Sequence, residues 1–179
     1  MNITLKDEFG FLEIATDNHT PLLLLALELT KKGNVLELGC GYGSTPYLQN
    51  YCKMNNRVLY SYDSNKEWAD KFEGAIFIND DWEKSGYYDR NYSVALIDEA
   101  PAEHRPISVK NLLGKVDIFV AHDTEPENEK YYHMISLWPL FKYVLHDNHN
   151  RIWTTIFSNN YGIIKEVETI NGIELKHGA

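Results

Sequence analysis

The sequence lacks the features that mark secreted, membrane-spanning and nucleic-acid-binding proteins. Two cysteines among 179 residues are too few for a disulfide framework and lack metal-site spacing, so we expect both to be reduced. The leucine-rich run at 22–29 is too short to cross a bilayer and contains Glu28. Acidic residues outnumber basic ones by 26 to 17, and the net charge of −9 opposes binding to phosphate backbones. Residues 1–11 carry no basic-then-apolar signal pattern. We therefore expect a cytoplasmic protein with no membrane and no nucleic-acid partner.

Strand and helix signals alternate along most of the chain. Short apolar runs predict strands at 34–38, 57–62, 75–78, 92–97 and 116–121. Such alternation implies right-handed crossovers and a parallel sheet covered on both faces. Two further runs, at 141–146 and 152–157, are joined too closely for a crossover, so they pair antiparallel. The predicted fold is α/β, a Rossmann-like three-layer sandwich whose mostly parallel sheet has about seven strands and a C-terminal antiparallel hairpin.

The length fits a single domain over 1–179, with residues 1–18 as an irregular N-terminal arm. The first helix is expected to start with Thr20 as its N-cap and Pro21 in its first turn, and to end at Gly33. Further helices are predicted up to about Tyr51 and over 65–72, 107–113 and 127–137.

A glycine-rich loop follows the first predicted strand. Gly39, Gly41 and Gly43 let the backbone turn sharply and approach a ligand, and the next helix offers free N–H groups to that ligand. A dinucleotide-binding loop would instead have the spacing G-x-G-x-x-G. Glu37 precedes the first glycine by two positions, where it repels phosphates but suits a ligand that carries an ammonium and a sulfonium. A turn in which the glycines serve geometry alone is the alternative.

The stretch from Glu37 to Gly43 resembles motif I of the class I S-adenosylmethionine-dependent methyltransferases, whose pattern is E/D-x-G-x-G-x-G. The resemblance extends over 19–158. It implies methyl transfer from S-adenosylmethionine to a small-molecule acceptor, with a hydroxyl oxygen favoured. The cofactor-binding residues that it implies are Glu37, Gly39, Gly41, Gly43, Ser44, Asp63, Ser64, Asp80, Asp81, Trp82 and Asp98.

Asp63 ends the second predicted strand, about 20 residues beyond the glycine loop, where nucleotide-binding Rossmann folds place an acid. A carboxylate there accepts both hydrogen bonds of a ribose diol, and the resemblance implies this role for Asp63. The alternative is that Asp63 caps a helix that starts near Asn65.

The third predicted strand is followed by Asp80, Asp81 and Trp82. In the family that the sequence resembles, an acid at this point accepts from the adenine amino group, and Asp80 is the better placed of the two. Trp82 could stack on the adenine ring, although a buried aromatic is more often part of a core.

The fourth and fifth predicted strands deliver Asp98, His122 and Asp123 to the carboxyl edge of the sheet, where open α/β sheets bind ligands. We expect these three residues to be neighbours with a catalytic role, with His122 as a general base. The resemblance also implies Mg²⁺ at Asp98 and Asp123, as in some O-methyltransferases of the family. Catechol-type enzymes follow the last of these acids with Asn, and this chain has Thr124 instead.

His104 and Arg105 lie in the segment after the fourth strand and are predicted to contact the acceptor substrate, with plain surface exposure as the alternative. His19 could close over the methionine end of the cofactor, or could be exposed. A homodimer formed through the sheet edge or the first helix is compatible with the sequence, although no heptad or apolar stripe marks an interface.

Three rival functions stay open at this point. An aminopropyl transferase would use the same fold with an additional N-terminal β-domain. A nicotinamide-dependent oxidoreductase would have different glycine spacing. A non-catalytic relative would bind S-adenosylmethionine without turnover.

Overall fold

The computed structural model describes residues 19–79, 81–147 and 151–160. Within these ranges seven strands form one sheet in the order β3-β2-β1-β4-β5-β7-β6. Strands β1 to β5 run parallel, and β7 pairs antiparallel with both β5 and β6. The predicted α/β sheet with its C-terminal antiparallel hairpin is confirmed. The strands are β1 Val35–Leu38, β2 Leu59–Asp63, β3 Ile76–Phe77, β4 Tyr92–Ile97, β5 Val116–His122, β6 Tyr143–Asp147 and β7 Thr154–Ser158.

Helices connect the parallel strands, and most of them are short. The α-helices are α1 Thr20–Thr30, α2 Thr45–Met54, α3 Lys66–Ala69, α4 Arg105–Asn111 and α5 Glu129–Tyr132. Single 3₁₀ turns lie at Trp82–Lys84, Tyr87–Asp89, Ala102–His104 and Pro126–Asn128, and a longer 3₁₀ segment at Ile135–Leu140. In the part of the chain that the structure describes, no helix has the length and apolar character needed to cross a membrane. The predicted arm at 1–18 lies outside the described residues.

Apolar side chains pack against both faces of the sheet. In β4, Val94 and Leu96 point to the face covered by α1 and α2, whereas Ala95 and Ile97 point to the face covered by α4 and the 3₁₀ segments. Because successive side chains of a strand alternate between faces, a strand covered on both sides is apolar throughout. This explains why the central strands appear in the sequence as continuous apolar runs.

The first helix starts and ends differently from the prediction. Thr20 lies inside α1, and His19 is the cap residue because its carbonyl accepts the first helical hydrogen bond. Pro21 occupies the first turn as predicted. The helix ends before Gly33, since Lys31 already takes a left-handed conformation (φ 47°) and its N–H donates to a carbonyl of the last turn.

The helix predicted at 127–137 is divided into three pieces. His133 has a φ of 50°, and this left-handed conformation ends α5. The Glu129 side chain then accepts a hydrogen bond from Ile135 N at 2.7 Å. The chain therefore continues as a 3₁₀ segment, which the apolar periodicity alone did not distinguish from an α-helix.

Gly39 lies where the carboxyl end of β1 is in close contact with the peptide that follows β4. Its φ is 89°, and a Cβ at this position would lie 2.8 Å from Glu99 N and closer still to the carbonyl of Asp98. Backbone hydrogen bonds link the same ends, from Asp98 N to Leu38 O at 2.9 Å and from Gly39 N to Tyr62 O at 2.8 Å. The glycine loop and the peptide after β4 are therefore in direct contact.

We expect Gly39→Ala to destabilise the protein more than Gly114→Ala does. Both glycines have a left-handed φ, but only Gly39 has backbone atoms where a methyl group would be placed. Gly114→Ala should cost about 1–2 kcal/mol for the conformation alone, and Gly39→Ala about 1–3 kcal/mol more for the overlap. Urea unfolding measures both values. Equal losses would contradict the close packing at Gly39.

Candidate active site

Glu37, the acid that precedes the glycine loop, lies inside the protein and does not line the cleft. Its side chain is 0% exposed, and Oε1 accepts hydrogen bonds from Ser44 Oγ at 2.6 Å and Thr45 Oγ1 at 3.0 Å. Ser61 Oγ, on β2, donates to Oε2 at 2.6 Å. Thr45 Oγ1 also accepts from Gly41 N at 2.9 Å. Glu37 and the predicted cofactor residue Ser44 thus use their polar side-chain atoms to fix the loop and the start of α2.

Burial raises the pKa of Glu37 to about 7, because removal from water disfavours the charged carboxylate. The three hydroxyl donors oppose this shift, and the negative charge of Asp98 adds to it. Sequence analysis did not single out Thr45 and Ser61, the partners of Glu37. The available signal was the pairing of Glu37 with Ser61 in adjacent parallel strands, where a polar residue in a buried position needs a partner.

Asp63 lies at the end of β2 and is 7% exposed. Its Oδ2 accepts from Cys40 N at 2.8 Å, and its Oδ1 accepts from Asn65 N at 2.7 Å. The helix cap is Asn65 itself, whose side chain accepts from Trp68 N, so Asp63 is not the cap of α3. Each carboxylate oxygen has a second lone pair, which leaves Asp63 able to accept further hydrogen bonds from a ligand.

The residues after β3 have mostly structural contacts. Asp81 caps a 3₁₀ turn and pairs with Lys84 Nζ at 2.6 Å. Trp82 is 2% exposed and belongs to the core, which supports the core alternative over stacking on adenine. Asp80 lies outside the described residues. Ser64, after β2, donates from Oγ to Ala100 O at 2.8 Å and so links the segments that follow β2 and β4.

Arg105 joins the ends of β4 and β5. Its Nη2 donates to Asp98 Oδ1 at 2.9 Å, and its Nη1 donates to Asp123 Oδ2 at 3.2 Å and to His122 O at 2.9 Å. Nε donates to Glu99 O at 3.0 Å. Arg105 is 5% exposed, so the alternative of plain surface exposure is wrong, and the contact with substrate stays a prediction. Its donors are used to hold the two strand ends together.

His104, the other residue predicted to contact substrate, packs beside the core. Its ring centroid lies 5.9 Å from that of Trp82, and its Nδ1 is buried. The structure therefore does not bring His104 and Arg105 together as a substrate-facing pair.

An open pocket of about 240 Å³ lies between the glycine loop and the ends of β4 and β5. His122 Nδ1 lies 3.4 Å from Asp98 Oδ1 and 3.6 Å from Asp123 Oδ1, as expected for neighbours in space. The ring of His19 meets that of His122 edge to face, with centroids 4.9 Å apart. His19 is 5% exposed, so the alternative of surface exposure is wrong. The pocket is lined by His19, Gly41, Gly43, Ser44, Asp98, His122 and Ile152.

The surroundings of His122 favour its protonated form. Burial lowers the pKa of His122, but the hydrogen bond to Asp98 and the charges of Asp98 and Asp123 outweigh this effect, and the net shift is upward. The imidazole is therefore placed to take up a proton beside two carboxylates.

A possible ligand set for a metal differs from the predicted pair of acids. Among the described residues, His19, Asp98 and His122 each offer a ligand atom, and these atoms all lie within 4.8 Å of one another. Asp123 is outside this group. Arg105 binds Asp98 and Asp123 together, so a guanidinium lies between the two carboxylates to which Mg²⁺ was assigned.

Solved structures share this architecture at low sequence identity. A putative O-methyltransferase from Klebsiella pneumoniae has a TM-score of 0.55 and 13% identity, covering 82% of this chain and 82% of that chain. An O-methyltransferase from Bacillus cereus in complex with SAH has a TM-score of 0.52 and 10% identity, covering 78% and 80%. Human methyltransferase 10 domain containing protein has a TM-score of 0.53 and 9% identity, covering 82% and 84%.

No protein-family model and no curated protein matches the chain. The structural likeness establishes the fold: the chain has the Rossmann-like fold of the class I S-adenosylmethionine-dependent methyltransferases.

Glu37→Gln is expected to change how stability depends on pH. The pKa of Glu37 is about 7 in the folded protein against an ordinary 4.5, so between these values the folded state retains a proton that the unfolded chain has lost. Wild-type stability therefore falls as pH rises through this window, and Gln removes that contribution. Urea unfolding at about pH 5 and about pH 8 should show that the free energy of unfolding of the variant, relative to wild type, is greater at the higher pH.

Glu37→Leu is the control for this variant, because it is also neutral but leaves three hydroxyl groups without their acceptor. It should lose about 2 kcal/mol or more at both pH values. If Glu37→Gln followed the wild type at both pH values, the buried carboxylate would not titrate in this range.

Arg105→Gln should destabilise the protein by about 3 kcal/mol, because it leaves Asp98 and Asp123 partly buried without a counter-charge. The matched control is Lys66→Gln, whose partner Asp70 is largely exposed and whose pair should contribute less than about 1 kcal/mol. Thermal or urea unfolding compares the two variants. A similar small loss in both would show that Arg105 does not hold the strand ends.

Proposed function

We propose that the chain catalyses methyl transfer from S-adenosylmethionine to a hydroxyl oxygen of a small-molecule acceptor. The observation that carries the proposal is the meeting of the glycine loop with Asp63 at the ends of β1 and β2, beside a pocket lined by Asp98 and His122. The fold shared with O-methyltransferases supports it. A nicotinamide-dependent oxidoreductase is less compatible, since the glycine spacing differs from that of a dinucleotide-binding loop.

We assign a partner to each part of the cofactor. The free lone pairs of Asp63 accept hydrogen bonds from the ribose hydroxyls. Gly41 and Gly43 line the pocket and allow the methionine end to approach the backbone. Asp98, on the same pocket, attracts the ammonium group. Asp80 and Ser64 are proposed to border the adenosine.

The bound cofactor supplies an electrophilic methyl group on its sulfonium. The acceptor oxygen forms a bond to the methyl carbon as the carbon–sulfur bond breaks, and the electron pair of that bond stays on sulfur. In the metal-free protein, His122 takes the proton from the hydroxyl, and the carboxylates of Asp98 and Asp123 stabilise the imidazolium. Much of the rate in such a transfer comes from alignment of the reacting atoms.

The first test is calorimetric titration of the full chain with S-adenosylhomocysteine and, separately, with NAD⁺. Binding of S-adenosylhomocysteine alone is expected. Asp63→Asn should weaken it by about 10–100-fold, the effect of losing a hydrogen bond to a charged group. Asp70→Asn is the control, because Asp70 follows α3 directly and forms a largely exposed ion pair with Lys66.

Two results would overturn the proposal. Failure of the wild-type protein to bind S-adenosylhomocysteine would remove the cofactor assignment. Binding without methyl transfer in a screen of hydroxylated acceptors would favour the non-catalytic relative. Asp63 also accepts a hydrogen bond from Cys40 N, so Asp63→Asn could weaken binding by disturbing the glycine loop. Urea unfolding of the variant distinguishes this structural effect from the loss of a contact to the ligand.

A further inference from the structure

Three residues that are distant in the sequence converge on one side of the pocket. His19 precedes α1, Asp98 follows β4, and His122 ends β5. Each of them lines the pocket, and one ligand atom from each falls within a group no wider than 4.8 Å. From this convergence we propose that His19, Asp98 and His122 form a binding site for a divalent transition metal such as Zn²⁺ or Co²⁺.

The separations require an adjustment of the side chains to hold a metal. With metal–nitrogen and metal–oxygen bonds of about 2.1 Å, two ligand atoms of a tetrahedral site lie about 3.4 Å apart. His122 Nδ1 and Asp98 Oδ1, at 3.4 Å, already have this separation. No pair of the group is wider than 4.8 Å, so the widest pair must close by at most about 1.4 Å.

The donor set selects the kind of metal. Two imidazoles and one carboxylate suit Zn²⁺, Fe²⁺ and Co²⁺, whereas Mg²⁺ prefers oxygen ligands alone. The group of two histidines and one aspartate would therefore bind a transition metal, whereas the pair of acids at Asp98 and Asp123 would bind Mg²⁺.

The local charge balance favours a cation. Asp98 and Asp123 carry two negative charges, and the buried Arg105 that binds both carries one positive charge. With both histidines neutral, as metal ligands must be, one negative charge remains at the site. Arg105 also fixes the orientation of Asp98 through Oδ1, which is the usual task of a residue behind a metal ligand.

Three protein ligands on an open pocket leave a coordination position for a further ligand, as in catalytic metal sites. This consequence rests on the proposed function: a hydroxyl acceptor bound to the metal would lose its proton more easily. His122 would then be a ligand, so the metal would replace it in activating the acceptor.

The experiment is metal titration of the chelator-treated full chain, without cofactor. Zn²⁺ binding is followed by competition with a chromophoric chelator, and Co²⁺ binding by its visible absorption. We expect one metal per chain and no displacement by Mg²⁺. His19→Ala and His122→Ala should each weaken binding by at least about 10–100-fold, the range known for residues that merely support ligands.

Two control variants separate this site from others. Asp123→Asn tests the alternative in which Asp98 and Asp123 bind the metal. His133→Asn tests adventitious binding by an exposed histidine. Asn is suitable at position 133 because, like His133, it tolerates a left-handed backbone conformation. His133→Asn should retain wild-type affinity, and Asp123→Asn should lose less than about 10-fold, because it removes a nearby charge but no ligand. Unchanged binding in His19→Ala, or a loss in Asp123→Asn as large as that in His122→Ala together with displacement by Mg²⁺, would overturn the proposal.

X-ray absorption at the zinc edge of the wild-type protein gives a test that does not depend on the folding of any variant. Two imidazole ligands are expected, and one or none would refute the assignment. Because neither measurement uses S-adenosylhomocysteine, failure of the metal site and failure of the proposed methyl transfer are distinguishable.

Discussion

The contact between Gly39 and the peptide that joins Asp98 to Glu99 sets the dimensions of the site. With no side chain at Gly39, the ends of β1 and β4 come together closely enough for Leu38 O to accept from Asp98 N. The glycine loop therefore starts beside Asp98, and the pocket has the loop on one side and the carboxylate on the other. A larger residue at this one position would separate the two halves of the site.

Two buried ionisable residues, Glu37 and Arg105, stabilise the arrangement of the elements that form the site. Glu37 binds hydroxyls from α2 and β2, and Arg105 binds the ends of β4 and β5. Burial of such groups is unfavourable unless their hydrogen-bonding capacity is used, and here each makes at least three hydrogen bonds. Their contribution is to position the residues of the pocket, such as Asp98, without lining it themselves.

The sequence predicted the fold and the location of the site better than the tasks of individual residues. Continuous apolar runs bounded by turns identified all seven strands, most clearly the central strands β1 and β4, which are buried throughout. The strand-end contacts of Arg105 were not predicted, and the core position of Trp82 was only one of two alternatives, for a common reason. Whether an arginine or a tryptophan after a strand points outward or is buried depends on tertiary packing, which local sequence does not contain.

His19 shows how core packing can determine the chemistry of a pocket. Its place before α1 allowed either a position over the cofactor or an exposed one, and periodicity identified only the apolar residues that follow it. Leu23 and Leu27 of α1 belong to the same buried apolar cluster as Val94 and Ile118 of the central strands, and this packing holds the N-terminus of the helix near the end of β5. The His19 ring consequently reaches His122. Apolar contacts thus add an imidazole to a site that otherwise contains two carboxylates and one histidine, and the metal preference of the pocket depends on that addition.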